Sequence, residues 1–279
     1  SLIANVMDGV GEPSLIIEDS TSPHSFTLKP SHAKLLEEAD LIFWVGEGIE
    51  TFMERPLESI VKNAEVVEFM EVESIEKLKF REESIYGDHD DHEGHDHHDH
   101  GGVDPHFFTD PARMAQVVDG LSDFLATNFP AVDESSLVST ASSYQQQLES
   151  LDTEVEELLS AVPANARMLV TNHSVFAYFA DRYQFEVLGS IIPSSSTLSS
   201  ASAQDLASLA EEVREKQVPA IFADASSSSS LAEALAGEVD AVKVISLYTE
   251  SLGDPGSDGA NYIGMVRFNA QEIVRGLVE

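Results

Sequence analysis

Residues 133–161, DESSLVSTASSYQQQLESLDTEVEELLSA, contain no strand signal, and this stretch decides the fold. Leu137, Tyr144, Leu148, Leu151, Val155, Leu158 and Leu159 recur at helical spacing with Glu and Gln elsewhere, which predicts one helix of more than twenty residues. On both sides of it, short apolar runs alternate with amphipathic stretches, the pattern of βα units around a mainly parallel sheet. Strands are expected at Ser14–Ile17, Leu41–Val45 and Glu65–Phe69 before it, and at Met168–Thr171, Phe185–Ser190, Ala220–Ala223 and Ala241–Leu247 after it. Helices are expected at Ser31–Glu38, Ile49–Lys62, Pro111–Asn128, Gln204–Lys216, Leu231–Ala236 and Ala260–Val278. Asp110 before Pro111 is a start signal, an N-cap side chain followed by proline at the first helical position. The fold class is therefore α/β: an N-terminal lobe (1–130), a linking helix (131–163) and a C-terminal lobe (164–279). One rigid link between lobes allows less relative motion than flexible strands.

The 279 residues, 42% of them hydrophobic, suffice for two lobes with real cores. Fifty acidic against 15 basic residues give a formal charge of −35, which argues against nucleic acid or an anionic membrane surface as partner. Such an excess suits a saline medium, where ions screen self-repulsion. With no cysteine, disulfides and thiolate metal sites are excluded, so any metal must be held by His, Asp or Glu. No run reaches the roughly 20 apolar residues of a membrane span. Residues 1–7, SLIANVM, read as mid-helix without a cap, and the expectation is a trimmed N-terminus whose export signal has been removed.

Six of the ten histidines crowd into residues 88–101, DHDDHEGHDHHDHG: His89, His92, His95, His97, His98 and His100. The tract has no apolar side chain to bury, so it offers imidazole in a loose, solvated form. It is expected to be a secondary, lower-affinity metal collector, because its ligands must be ordered on binding.

The other four histidines fall in more structured surroundings. His24 follows the expected strand Ser14–Ile17, His106 precedes the helix at Pro111, and His173 ends the apolar run Met168–Thr171. These are the places where open α/β sheets put their ligand crevices, and the three would meet between the lobes. Zinc's tetrahedron needs a fourth ligand, and Glu250, just past the strand Ala241–Leu247, serves. Glu47 and Asp224 are rival carboxylates, and His32, in the first turn of a helix, is expected to be a solvated surface residue.

The succession Pro23-His24, residues 39–50 (ADLIFWVGEGIE), the His/Asp-rich insertion, Asp104-Pro105-His106 and residues 172–179 (NHSVFAYF) resembles one family across nearly the whole chain. It is that of the metal-binding solute-binding proteins of ABC uptake systems, and within it the zinc-specific ZnuA-like group. The resemblance implies His24, His106, His173 and Glu250 as ligands of a transported Zn²⁺, a location outside the inner membrane (periplasmic or extracytoplasmic), and an ABC permease as docking partner. A monomer with no catalytic role is expected. A histidine at position 173, where manganese and iron binders often carry a carboxylate, shifts the balance toward zinc. The family's usual opening strand is missing here. The alternatives are a zinc hydrolase or lyase with three histidines and an open water position, a manganese or iron binder, and an adhesin on the same fold.

Overall fold

The computed structural model describes residues 2–8, 11–46, 48–71, 103–129, 133–192, 201–239 and 241–278. The tract 88–101 with its six histidines, Glu47, and most of the serine-rich run 194–202 lie outside the described residues.

The first lobe contains α1 (Leu2–Val6), α2 (Pro30–Glu38), β1 (Leu41–Trp44), α3 (Glu54–Ser59), β2 (Glu65–Glu68) and α4 (Pro111–Asn128). Strands β1 and β2 are parallel, with Leu41 opposite Glu65. The linking helix α5 runs Glu134–Leu159, 26 residues. Leu137, Leu148, Leu151, Val155 and Leu159 are each at most 1% exposed along one of its faces, and burial of each such side chain contributes about 1.5–3 kcal/mol.

The second lobe holds β3 (Met168–His173), α6 (Ala177–Tyr183), β4 (Glu186–Ile192), α7 (Ala203–Lys216), β5 (Ala220–Asp224), α8 (Ser230–Glu238), β6 (Lys243–Leu247) and α9 (Tyr262–Val278). Its sheet is wholly parallel in the order β4-β3-β5-β6. Alternation along the strands divides the packing between two faces. Leu169 and Phe222 join a core that continues through α5 and α9 into the first lobe, while Val170 and Ile221 face α7 and α8. The chain leaves β3 for β4 on one side and later enters β5 on the other, so the switch point lies at the carboxyl ends of β3 and β5.

Three expectations need correction. Ser14–Ile17 is not a strand: it finds no ladder partner among the described residues, Leu15 is 58% exposed, and only Ile16 rests on the small cluster around Trp44. The helix expected over Ile49–Lys62 shrinks to a 3₁₀ turn at Thr51–Met53 and α3. Gly46 and Gly48 hold positive φ, and the Glu50 carboxylate is engaged by the Val45 and Gly46 amides, so the chain cannot start a helix there. Pro56 is tolerated because it falls within the first turn of the shorter helix. His32 is buried rather than solvated: its Nδ1 accepts the Lys29 N–H at 3.2 Å and its ring stacks on Phe26.

Candidate metal centre

Each of the four expected residues is positioned by a different local device. His173 is the last residue of β3, an otherwise buried strand whose polar end, Thr171-Asn172-His173, remains in the ladder with β4. Thr171 Oγ1 donates to the His173 carbonyl at 2.8 Å. Glu250 lies three residues beyond β6, in the loop entered through Tyr248. His24 sits in a single 3₁₀ turn, Pro23–Ser25, whose start is favoured by proline's fixed φ. His106 opens another such turn, Phe107–Thr109, which runs into α4, where Asp110 caps the Ala112 N–H at 2.8 Å.

The four side chains meet. One ligand-capable atom from each of His24, His106, His173 and Glu250 lies within 4.8 Å of all the others. The three Nε2 atoms converge on Glu250 Oε1, at 2.6 Å (His24), 3.1 Å (His106) and 3.2 Å (His173), and all four side chains are fully screened from solvent. The His173 ring stands edge-on to those of His24 and His106, with centroids 5.8 and 5.7 Å away. A tetrahedron with bonds of about 2.0–2.1 Å has edges of about 3.3 Å. The three distances to Glu250 Oε1 lie near that length, and the spread of up to 4.8 Å within the set leaves the side chains to draw inward around an ion.

Asp104 is a functional residue that sequence reasoning missed, although it stands in the quoted Asp104-Pro105-His106. Its Oδ1 lies 2.7 Å from His106 Nδ1 and accepts the His106 backbone N–H at 2.9 Å. A carboxylate on Nδ1–H fixes the tautomer that leaves the Nε2 lone pair free for a metal. Asp104 is itself buried, and two tyrosines of the second lobe hold its turn: Tyr178 donates to the Asp104 carbonyl at 2.7 Å and Tyr262 to that of Phe108 at 2.8 Å. The signal for this role was available only as a carboxylate two residues before a histidine.

The electrostatics are those of a site built for a cation. Burial works to lower the His106 pKa, but its bonds to Asp104 and Glu250 outweigh this and raise it to about 9. Burial likewise works to raise Glu250, and the three imidazoles overcome it, leaving its carboxyl well below the usual carboxylate range. The nearby Glu50 shows the contrast: burial dominates over the Val45 and Gly46 amides and pushes it up to about 7. With a dication bound, Glu250 and Asp104 formally bring the buried assembly to neutrality, which is far less costly than an isolated charge.

Of the rivals, Asp224 ends β5 with its carboxylate committed to the Ser226 N–H and hydroxyl, at 2.8 and 2.9 Å. It does not join the cluster.

The chain is similar to known proteins over its whole length. A family model described as zinc-uptake complex component A, periplasmic, matches residues 1–276. The zinc-binding protein TroA of Treponema pallidum is 29% identical over 280 residues, covering 99% of this chain and 84% of the relative. Its solved structure matches with a TM-score of 0.83 at 28% identity, over 100% of this chain and 95% of the other. The high-affinity zinc uptake system protein ZnuA of Brucella abortus is 32% identical over 216 residues, 68% of this chain and 64% of the relative. The manganese-binding lipoprotein MntA of Halalkalibacterium halodurans is 24% identical over 282 residues, 99% of this chain and 86% of the relative.

Proposed function

We propose that this chain, which belongs to the family of periplasmic zinc-uptake component A proteins, captures Zn²⁺ between its lobes and delivers it to the permease of an ABC transporter. Membership makes it a metal-binding solute-binding protein of the ABC uptake class and not an enzyme, which removes the hydrolase and lyase alternatives. The choice of zinc and the identity of the ligands rest on the site's chemistry. Three imidazole nitrogens and one carboxylate oxygen, fully buried and all within 4.8 Å of one another, are the observation that carries the reading. Softer nitrogen donors favour zinc, whereas manganese takes oxygen-rich, higher-coordinate sites. The likeness to a manganese-binding relative makes Mn²⁺ the competitor to test against.

In operation, Zn²⁺ exchanges its waters for His24, His106, His173 and one oxygen of Glu250. Only neutral rings ligate, so binding expels the protons these rings carry. No helix among the described residues is long and apolar enough to cross a membrane. The protein works as a monomer in the extracytoplasmic space and meets its permease there, while the histidines at 89–100 collect zinc at lower affinity.

The test is calorimetric titration with Zn²⁺ and Mn²⁺ of the full chain, of a variant lacking residues 88–100, and of Glu250→Ala. One tight zinc per chain, retained without the tract, weakened by Glu250→Ala and stronger than manganese, is the expected result. Loss of tight binding with the tract, or indifference to Glu250→Ala, would overturn the assignment.

A further inference from the structure

Glu250 presents one oxygen to three imidazoles, yet among the described residues nothing hydrogen-bonds its other oxygen. Among the described residues, Glu250 Oε2 and the neighbouring Thr249 Oγ1 are buried without a hydrogen-bond partner. The far oxygen is therefore placed by the backbone that carries the side chain, and that backbone is held on both sides of Glu250. Beyond it the Ser20 N–H donates to the Leu252 carbonyl at 2.8 Å and the Gly253 N–H to that of Gly259 at 2.9 Å, and before it α9 supplies a side-chain clamp.

Asn269, on α9 and 5% exposed, reaches the residue two before Glu250 with both ends of its amide. The Tyr248 N–H donates to Asn269 Oδ1 at 3.0 Å, and Asn269 Nδ2 donates to the Tyr248 carbonyl at 2.6 Å. One carboxamide thus imitates a neighbouring strand and extends the pairing of β6 by a residue after the sheet has ended. The Tyr248 ring completes the clamp: it lies against Phe268, with centroids 5.2 Å apart. A Cβ on Gly253 or Gly259 would fall 2.8 or 2.4 Å from that ring, so only glycine permits the close approach.

We infer that Asn269 is the positioning residue that holds Glu250 to a single-oxygen contact and thereby sets the preference of the cleft for zinc over manganese. The inference rests on Glu250 being a ligand. A carboxylate aimed by a fixed backbone gives one oxygen to a four-coordinate ion. Once the clamp opens, Glu250 can turn and offer both oxygens, raising the coordination number toward what manganese takes.

The test is competitive titration of Zn²⁺ and Mn²⁺ into the full chain, Asn269→Leu, Asn269→Asp, Glu250→Ala, and Asn269→Leu combined with Glu250→Ala. Leucine is near in size to Asn269 and faces the crevice lined by Phe176, Phe179, Met265 and Val266, so packing is kept while both hydrogen bonds go. Aspartate keeps the acceptor for the Tyr248 N–H and turns an oxygen toward its carbonyl, and it decides the matter if the leucine variant does not fold. Zinc affinity should fall about 10-fold or more, the size of an outer-shell loss, with manganese falling less, so that the zinc-to-manganese ratio drops. In the Glu250→Ala background Asn269→Leu should add no further loss. An unchanged ratio, or equal losses for both metals, reduces Asn269 to a structural residue and overturns the inference. If Glu250→Ala itself leaves zinc affinity intact, the ligand assignment fails; if it weakens zinc while the Asn269 variants do not, only the clamp fails.

Discussion

The two walls of the cleft hold the four clustered side chains by different means. On the second-lobe wall, His173 ends a buried strand and Glu250 follows the next-but-one strand across the sheet, so the ladder that forms the lobe also places these two side chains. On the first-lobe wall, His24 and His106 ride on isolated 3₁₀ turns, and the two β-strands described in that lobe do not reach them. His106 is rescued by Asp104 and by tyrosines donated from the opposite lobe, Tyr178 and Tyr262. His24 has fewer such supports: its Nδ1 is unpartnered among the described residues, and Ser20, four residues earlier, ties the segment to the second lobe through its N–H to Leu252 and its hydroxyl to Asp254. A strand end supplies a preformed ligand, whereas a turn must be ordered, and ordering costs about 1–2 kcal/mol per residue.

That asymmetry is broken most directly by removing one ligand from each wall. His173→Ala and His24→Ala should each exceed the ~10–100-fold loss that an outer-shell change produces. His173→Ala should be the more damaging, by about tenfold, since about 1.4 kcal/mol of ordering offsets what the His24 bond contributes. Zinc titration of both variants, with circular dichroism to establish folding, reads the difference. If His24→Ala matches or exceeds His173→Ala, the turn is as preformed as the strand and the contrast between the walls disappears.

A more moderate effect is expected at Asp104, the residue that makes a turn histidine behave like a strand-end one. Asp104→Ala should weaken zinc about 10–100-fold. Asp104→Asn, which still offers an oxygen to Nδ1–H, should fall between it and the unchanged chain. Equal affinities for all three would show that the tyrosines alone hold the His106 turn.

The same contrast explains what the sequence made legible. The linking helix and the strands of the second lobe were readable because their burial is periodic: Leu137 to Leu159 on one helix face, and continuous apolar runs such as Ala220–Ala223. The strand β3 runs past its expected end at Thr171 through Asn172 to His173, buried polar residues that hydropathy does not count as strand. Ser14–Ile17 misled for the opposite reason, since β-propensity cannot reveal whether a partner strand exists. The misreading of His32 and the silence about Asp104 share a cause: both side chains bond to backbone or ring atoms whose direction follows from the turn, not from residue type. Of the four clustered residues, His173, His106 and Glu250 were legible from their places at the end of β3, ahead of α4 and just past β6, whereas the strand that His24 was read as following does not form.

The smallest and most graded effect is the pH dependence of stability, and its sign sharpens the comparison. His106 has a folded pKa raised to about 9 from an ordinary 6.5, so without metal it contributes stability that is fully present below about pH 6.5 and is lost as the pH rises through about 9. Glu250, depressed by the same ring cluster, contributes stability that is present above its ordinary value of 4.5 and is lost only as the pH falls through its lower folded value. Zinc opposes the first of these, because it binds the neutral ring and must displace the proton that His106 keeps. The thermal shift caused by saturating zinc should therefore grow steadily between pH 6.5 and 9, while the metal-free protein loses stability over the same interval. Thermal melts at fixed ionic strength with and without zinc measure both curves. In Asp104→Asn, where the carboxylate that helps hold the proton on His106 is gone, the window should contract toward 6.5. A zinc-induced shift that stays flat from pH 6.5 to 9 in the unchanged chain would mean that His106 does not hold its proton, and that the carboxylates around it do not act on the ring as the geometry requires.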